Sequence, residues 1–144
     1  MGSPDEHKQM TYITGITALN IPLPSGVSAD WHTSGLANTQ AWSWSGRALM
    51  DTCHLLGDAG IYDATHALRP YAPDTPKGTL AASYERAVFD LPYQSSLTGK
   101  AVPNIQCKDI EDIVNMEKVK CWIQSVDLSD RRQSTMLAWI YHSV

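Results

Sequence analysis

Residues 115–141, NMEKVKCWIQSVDLSDRRQSTMLAWIY, decide the fold. Met116, Val119, Trp122, Ile123 and Val126 recur at helical spacing, and Asn115 stands where a helix N-cap belongs. Just upstream, Ile110, Ile113 and Val114 point nearly the opposite way on a helical wheel. One straight helix through both sets would be apolar all round, so the phase change predicts a short turn and then a new helix over 116–126. Asp127 or Ser129 caps a last helix whose buried face carries Met136, Leu137, Trp139 and Ile140. The linker is very short, so these two helices are expected to form an antiparallel hairpin.

Helical patterns also fill the middle of the chain. Thr79 is expected to cap a helix with Leu80, Tyr84, Ala87, Val88 and Leu91 on one face, closed by Pro92. Ser45 is expected to cap GRALMDTCHLL (46–56), where Leu49, Met50, Cys53 and Leu56 share a face and Gly57 offers a stop. A helical turn in YDATHALR (62–69) follows, and PYAPDTPKG (70–78) reads as loop from its proline and glycine content. Residues 93–108 are mixed, with Gly99 and Pro103 as breakers.

TYITGITALNIPLP (11–24) is rich in β-branched types and ends in two prolines. It predicts a short strand or extended arm on the surface of the core, held by Ile13, Ile16, Leu19 and Ile21. Residues 25–46 form a long loop containing Trp31, Trp42 and Trp44. Residues 1–9 read as a disordered tail or cloning scar, with Met10 as a natural start, and 10–144 as one globular domain. The expected fold is mainly α: about five helices, an extended or short-strand N-terminal arm and a C-terminal antiparallel hairpin.

A chain of 144 residues can bury a sizeable core without staples. Its apolar fraction of 43% and charged fraction of 18% favour a folded body. The net charge of −4 lacks the basic footprint of a phosphate binder, so nucleic acid is not the expected partner. A mildly acidic surface suits a basic patch on a partner. Cys53, Cys107 and Cys121 are odd in number and widely spaced, which predicts reduced thiols in the cytoplasm. No apolar run approaches the roughly 18 residues of a membrane span, and no export signal is evident.

Three histidines follow an acid closely: Asp30 before His32, Asp51 before His54 and Asp63 before His66. On a helix, an i, i+3 pair shares a face, so the carboxylate can orient the imidazole or join it at a metal. His32, His54 and His66, with an Asp or Cys53, would be the ligands of such a zinc or iron site. The chain has neither Cys-x-x-Cys nor His-x-x-x-His, so no metal and no cofactor is expected, and Asp51 and Asp63 read as acids that fix histidines or caps. Gly-x-Ser-x-Gly and phosphate-loop patterns are missing, and Cys53 on an apolar face reads as core.

The tryptophans carry more. Trp122 and Trp139 fall on inner helix faces and read as core. Trp42 and Trp44 alternate, so an extended backbone points both indoles one way. They read either as a lid over the core or, with Trp31, as a partner-binding surface. In SADWHTSG (28–35), Trp31 anchors the loop while Asp30 and His32 hydrogen-bond nearby groups; if the unit lines a cleft, Asp30 and His32 are the catalytic candidates.

The strings ALNIP (18–22), ADWH (29–32) and GIYD (60–63) resemble small prokaryotic proteins of phage, mobile-element or toxin–antitoxin settings. That resemblance covers the first half of the chain, carries over no catalytic residue, and implies a cytoplasmic interaction protein. Two functions follow as expectations. The first is a non-enzymatic, antitoxin-, immunity- or counter-defence-like protein that binds a protein partner through the Trp-rich loop, with homo-oligomers also allowed. The second is a small enzyme or metal- or ligand-binding domain built on Asp30 and His32.

Overall fold

A computed structural model describes residues 11–29, 32–46, 52–100, 102 and 109–141. About half of these are helical, and the fold is mainly α with a small two-stranded sheet. In chain order the elements are α1 (Gly15–Leu19), α2 (Cys53–Leu56), β1 (Ile61–Asp63), α3 (Thr65–Leu68), β2 (Leu80–Ala82), α4 (Tyr84–Thr98), α5 (Met116–Ser125) and α6 (Asp130–Tyr141). Two 3-10 turns, Thr33–Ala37 and Thr39–Ala41, lie between α1 and α2. No described helix is long and apolar enough to cross a membrane.

The N-terminal segment is not a surface arm. Tyr12 and Ile13 are fully buried, and the backbone of 12–14 is bonded along both edges. On one side Ile13 N–H donates to Leu80 C=O at 2.9 Å, and Ala82 N–H donates to Ile13 C=O at 2.7 Å. On the other, Thr14 N–H donates to Ser43 C=O at 2.8 Å, and Ser45 N–H donates to Tyr12 C=O at 2.9 Å. Ser45 Oγ accepts Tyr12 N–H at 3.1 Å, so its hydroxyl serves this junction, and residues 47–51, where the helix expected after it would begin, lie outside the described residues. A segment with both edges paired satisfies its backbone without water, which lets it lie in the core. β1 and β2 extend this arrangement as an antiparallel pair in the register Ile61↔Ala82, Tyr62↔Ala81, Asp63↔Leu80.

α4 is the central helix, and every residue from Arg86 to Tyr93 is buried. A helix enclosed on all sides belongs inside the fold, and α4 contacts α1, β2, α5 and α6. Its start and end both differ from expectation. Thr79 Oγ1 donates to Pro76 C=O at 2.7 Å instead of capping the helix. Leu80–Ala82 then forms β2, and Ser83 is the cap, its Oγ accepting Arg86 N–H at 3.2 Å. Pro92 does not close the helix, which runs on to Thr98 and ends at the left-handed Gly99 (φ 76°). Proline removes the bond to the Val88 carbonyl, but burial of Leu91, Pro92 and Tyr93 against the neighbouring helices offsets that loss.

The C-terminal elements follow their sequence signals. Asn115 Oδ1 accepts Lys118 N–H at 3.2 Å and caps α5. Ser129 Oγ accepts Arg132 N–H at 3.2 Å ahead of α6. Val119 and Ile123 of α5 and Met136 and Ile140 of α6 are buried, and the Gln133 amide donates to the carbonyls of Ile123 and Val126. Trp122 and Trp139 are partly buried, and Trp122 stands edge-on to Phe89 with centroids 6.4 Å apart. Ile110 and Val114 are buried in the turn ahead of α5.

Two stability tests follow from this packing. Gly60 has φ +75°, and a Cβ there would fall 2.9 Å from Ser83 Oγ, 3.0 Å from Arg86 Cβ and 3.1 Å from Trp122 Cη2. Gly60→Ala should cost roughly 2–4 kcal/mol in urea unfolding, against about 1 kcal/mol for Gly99→Ala, whose Cβ meets nothing. Equal costs would contradict the close approach. Tyr84 donates its hydroxyl to the Ile21 carbonyl, and burial pushes its phenol up to about 12. An unfolded tyrosine ionises near pH 10 while the native phenol keeps its proton, so stability should fall as pH rises from 10 to 12. Tyr84→Phe should shallow that slope in denaturant titrations, and an unchanged slope would place the pH dependence elsewhere.

Candidate functional site

Asp30, Trp31 and Asp51 lie outside the described residues. His32 is exposed, and its backbone N–H donates to Asn20 Oδ1 at 2.7 Å, while Asn20 Nδ2 donates to Ile16 C=O at 3.0 Å. The start of the 3-10 turn is thereby tied to α1. His54 is exposed on α2, edge-on to the Tyr93 ring with Nε2 3.5 Å from its hydroxyl. His66 is exposed on α3. Asp63 accepts both the backbone N–H and the hydroxyl of Thr65, at 2.9 and 2.6 Å, and so organises the start of α3. Those two bonds hold its carboxyl below the usual carboxylate range. Among the described residues no group of three or more His, Cys, Asp or Glu could hold a metal ion.

The sequence reading missed a buried polar network on α4. Asp90 Oδ2 accepts the hydroxyls of Tyr12 and Thr14, both at 2.7 Å, and Oδ1 accepts that of Thr52 at 2.7 Å. Arg86 lies one turn earlier, its Nε 3.6 Å from Asp90 Oδ1, and both side chains are fully buried. Its Nη1 donates to the carbonyls of Gly57 and Ala59 at 3.1 and 2.6 Å, and its Nε to Thr52 Oγ1 at 3.1 Å. The guanidinium also sits over the Tyr12 ring, 5.1 Å from its centroid. Burial raises the Asp90 carboxyl, opposed by Arg86 and the three hydroxyls. Burial and the Asp90 charge push the Tyr12 phenol up. With every member enclosed and turned inward, the network is a fastening and offers no face to a substrate. Arg and Asp four apart in YERAVFDLP was the signal; Ala87, Val88 and Phe89 between them and Leu91 and Pro92 after them mark the pair as enclosed.

An open cleft of about 440 Å³ lies between the Trp42–Trp44 segment and the loop Tyr71–Pro76. Both indoles line it, as their alternation in an extended stretch predicts. Their ring centroids are 6.2 Å apart and tilted by 48°. The two differ in burial. Trp42 is 8% exposed and donates Nε1 to Leu36 C=O at 3.0 Å, as a lid residue does. Trp44 is half-buried, with its backbone paired to Ile13. The opposite wall is fixed by its own bonds. Thr75 Oγ1 donates to Ala72 C=O at 2.6 Å, Arg69 Nε to Thr75 C=O at 3.1 Å, and Thr79 Oγ1 to Pro76 C=O at 2.7 Å. Tyr71 and Asp74 were not singled out in the sequence, because proline content identifies a loop without saying what it faces.

Comparison of the chain with family models, with curated proteins and with solved structures gave no match in any of the three.

Removing one member of the buried pair leaves the other charge uncompensated. Arg86→Met should cost about 3–5 kcal/mol in chemical unfolding, and Asp90→Asn a comparable amount. The double variant should lose clearly less than the sum of the two. Strict additivity would show that the pair is not coupled.

Proposed function

We propose that this chain is a small non-enzymatic protein that binds a protein partner through the aromatic cleft. We place it in the cytoplasm, in an antitoxin-, immunity- or phage counter-defence-like setting. The observation that carries the reading is the cleft itself: two tryptophans on one wall, a braced Tyr71–Pro76 loop on the other, and open space between. Aromatic side chains with exposed ring surface on a rigid frame are the residues that anchor protein interfaces. Trp31, in the same loop region, joins Trp42 and Trp44 as a candidate contact. The net charge of −4 favours a basic partner surface over nucleic acid. Within this reading residues 10–144 act as one domain, with α5 and α6 turning back on each other as an antiparallel hairpin.

The competing reading is an enzyme or ligand-binding domain built on Asp30 and His32.

The test is affinity capture from source-cell lysate with the full chain and with Trp44→Ala and Tyr71→Ala. Native mass and circular dichroism would establish that each variant is folded. Wild type should recover one stoichiometric protein, and each variant should lose it by roughly tenfold, as a central aromatic anchor does. Equal recovery with all three chains would contradict the reading. A clean wild-type eluate carrying a metal or small molecule would move the function to Asp30 and His32.

A further inference from the structure

The lining of the cleft is chemically one-sided. Three aromatic residues, Trp42, Trp44 and Tyr71, line it, and Asp74 is the one charged residue among the described lining residues. Several other polar groups there are already bonded. Trp42 Nε1 is bonded to Leu36 C=O, the Thr75 hydroxyl to Ala72 C=O, and the carbonyls of Thr75 and Pro76 to Arg69 and Thr79. Among the described residues, the cleft therefore offers an occupant aromatic ring surface and one carboxylate side chain. An anion meets repulsion from both. A neutral apolar group covers the rings but strips water from Asp74 and gives nothing back. A cation is attracted by both.

We propose that the cleft is a receptor for an arginine side chain presented by the partner, its guanidinium lying over Trp44 and Tyr71 and pairing with Asp74. The inference rests on the partner-binding reading above and adds the chemistry of the contact. Trp42 is largely covered, whereas Trp44 and Tyr71 are half-buried and keep ring surface open. A planar guanidinium stacks on such a surface and forks to a carboxylate at the same time, which an ammonium does less well. The protein builds this same triad in its core, where Arg86 lies over the Tyr12 ring and beside the Asp90 carboxylate. Arg132 repeats the stacking part over Tyr93, at 4.8 Å from the centroid. The acidic balance of the chain adds a long-range attraction for a basic segment.

The experiment uses the full isotope-labelled chain and four probes: acetyl-Gly-Arg-Gly-amide and its Lys, Leu and Glu counterparts. Binding is read from the indole N–H signals of Trp42 and Trp44, assigned with Trp44→Phe. The arginine peptide should shift them saturably, at least roughly threefold tighter than the lysine peptide, and the leucine and glutamate peptides should not. Asp74→Asn, on an exposed loop, should weaken the arginine peptide by roughly fivefold with the spectrum otherwise unchanged. Equal shifts from the leucine or lysine peptide, or an unaltered affinity in Asp74→Asn, would overturn the proposal. If the arginine peptide fails while Trp44→Ala still abolishes partner capture, the arginine assignment is overturned and partner binding stands. If Trp44→Ala captures the partner as wild type does, the partner-binding reading falls and the arginine site with it.

Discussion

The fold depends on one buried ion pair and the hydroxyls around it. Burying Arg86 and Asp90 costs several kcal/mol per ion, and attraction between the two does not repay it without further bonds. Those bonds come from three separate stretches of chain. Tyr12 and Thr14 arrive from the N-terminal segment, Thr52 from the start of α2, and the Gly57 and Ala59 carbonyls from the turn that follows it. Each stretch is held in place because α4 has a charge that needs it.

The cleft inherits its shape from that fastening. Tyr12 and Thr14 are bonded to Asp90, so Ile13 between them is fixed, and Ile13 pairs with Trp44 on one side and Ala81 on the other. Trp44 thus stands at the end of a short chain of contacts from the core. The facing loop is reached by another route. Thr65 Oγ1 accepts the N–H groups of Gly78 and Thr79 and so ties them to the start of α3, while Ala64 N–H donates to Thr79 C=O and links the loop to the β1 edge. Two walls built from separate segments meet across a gap that neither fills. A surface of this kind is preorganised, so less conformational entropy is lost when a partner enters it.

What the sequence revealed and what it concealed divide along physical lines. α5 and α6 were legible because caps and apolar spacing agree locally: Asn115 and Ser129 satisfy orphan N–H groups, and Met136 and Ile140 share a face. The two strands were not, because Ile61–Asp63 and Leu80–Ala82 are three residues each, too short for alternation to show. Pro92 misled because the helix around it is held by tertiary packing, which overrides the local signal. The alternation of Trp42 and Trp44 placed both on one surface. Their partners across the cleft, Tyr71 and Asp74, follow from long-range pairing that no local string encodes.

The most direct measurement of the central claim is native-state amide hydrogen exchange across the whole chain. If the Asp90 fastening holds the 12–14 segment in the core, the amides of Ile13, Thr14, Ser45 and Ala82 should exchange only through the global opening that also releases α4. Their opening free energies would then match that of the α4 interior and fall together with it in denaturant. Exchange of those four amides through a local opening, well below the free energy of α4, would show that the segment is a detachable arm and that the cleft does not depend on the buried pair.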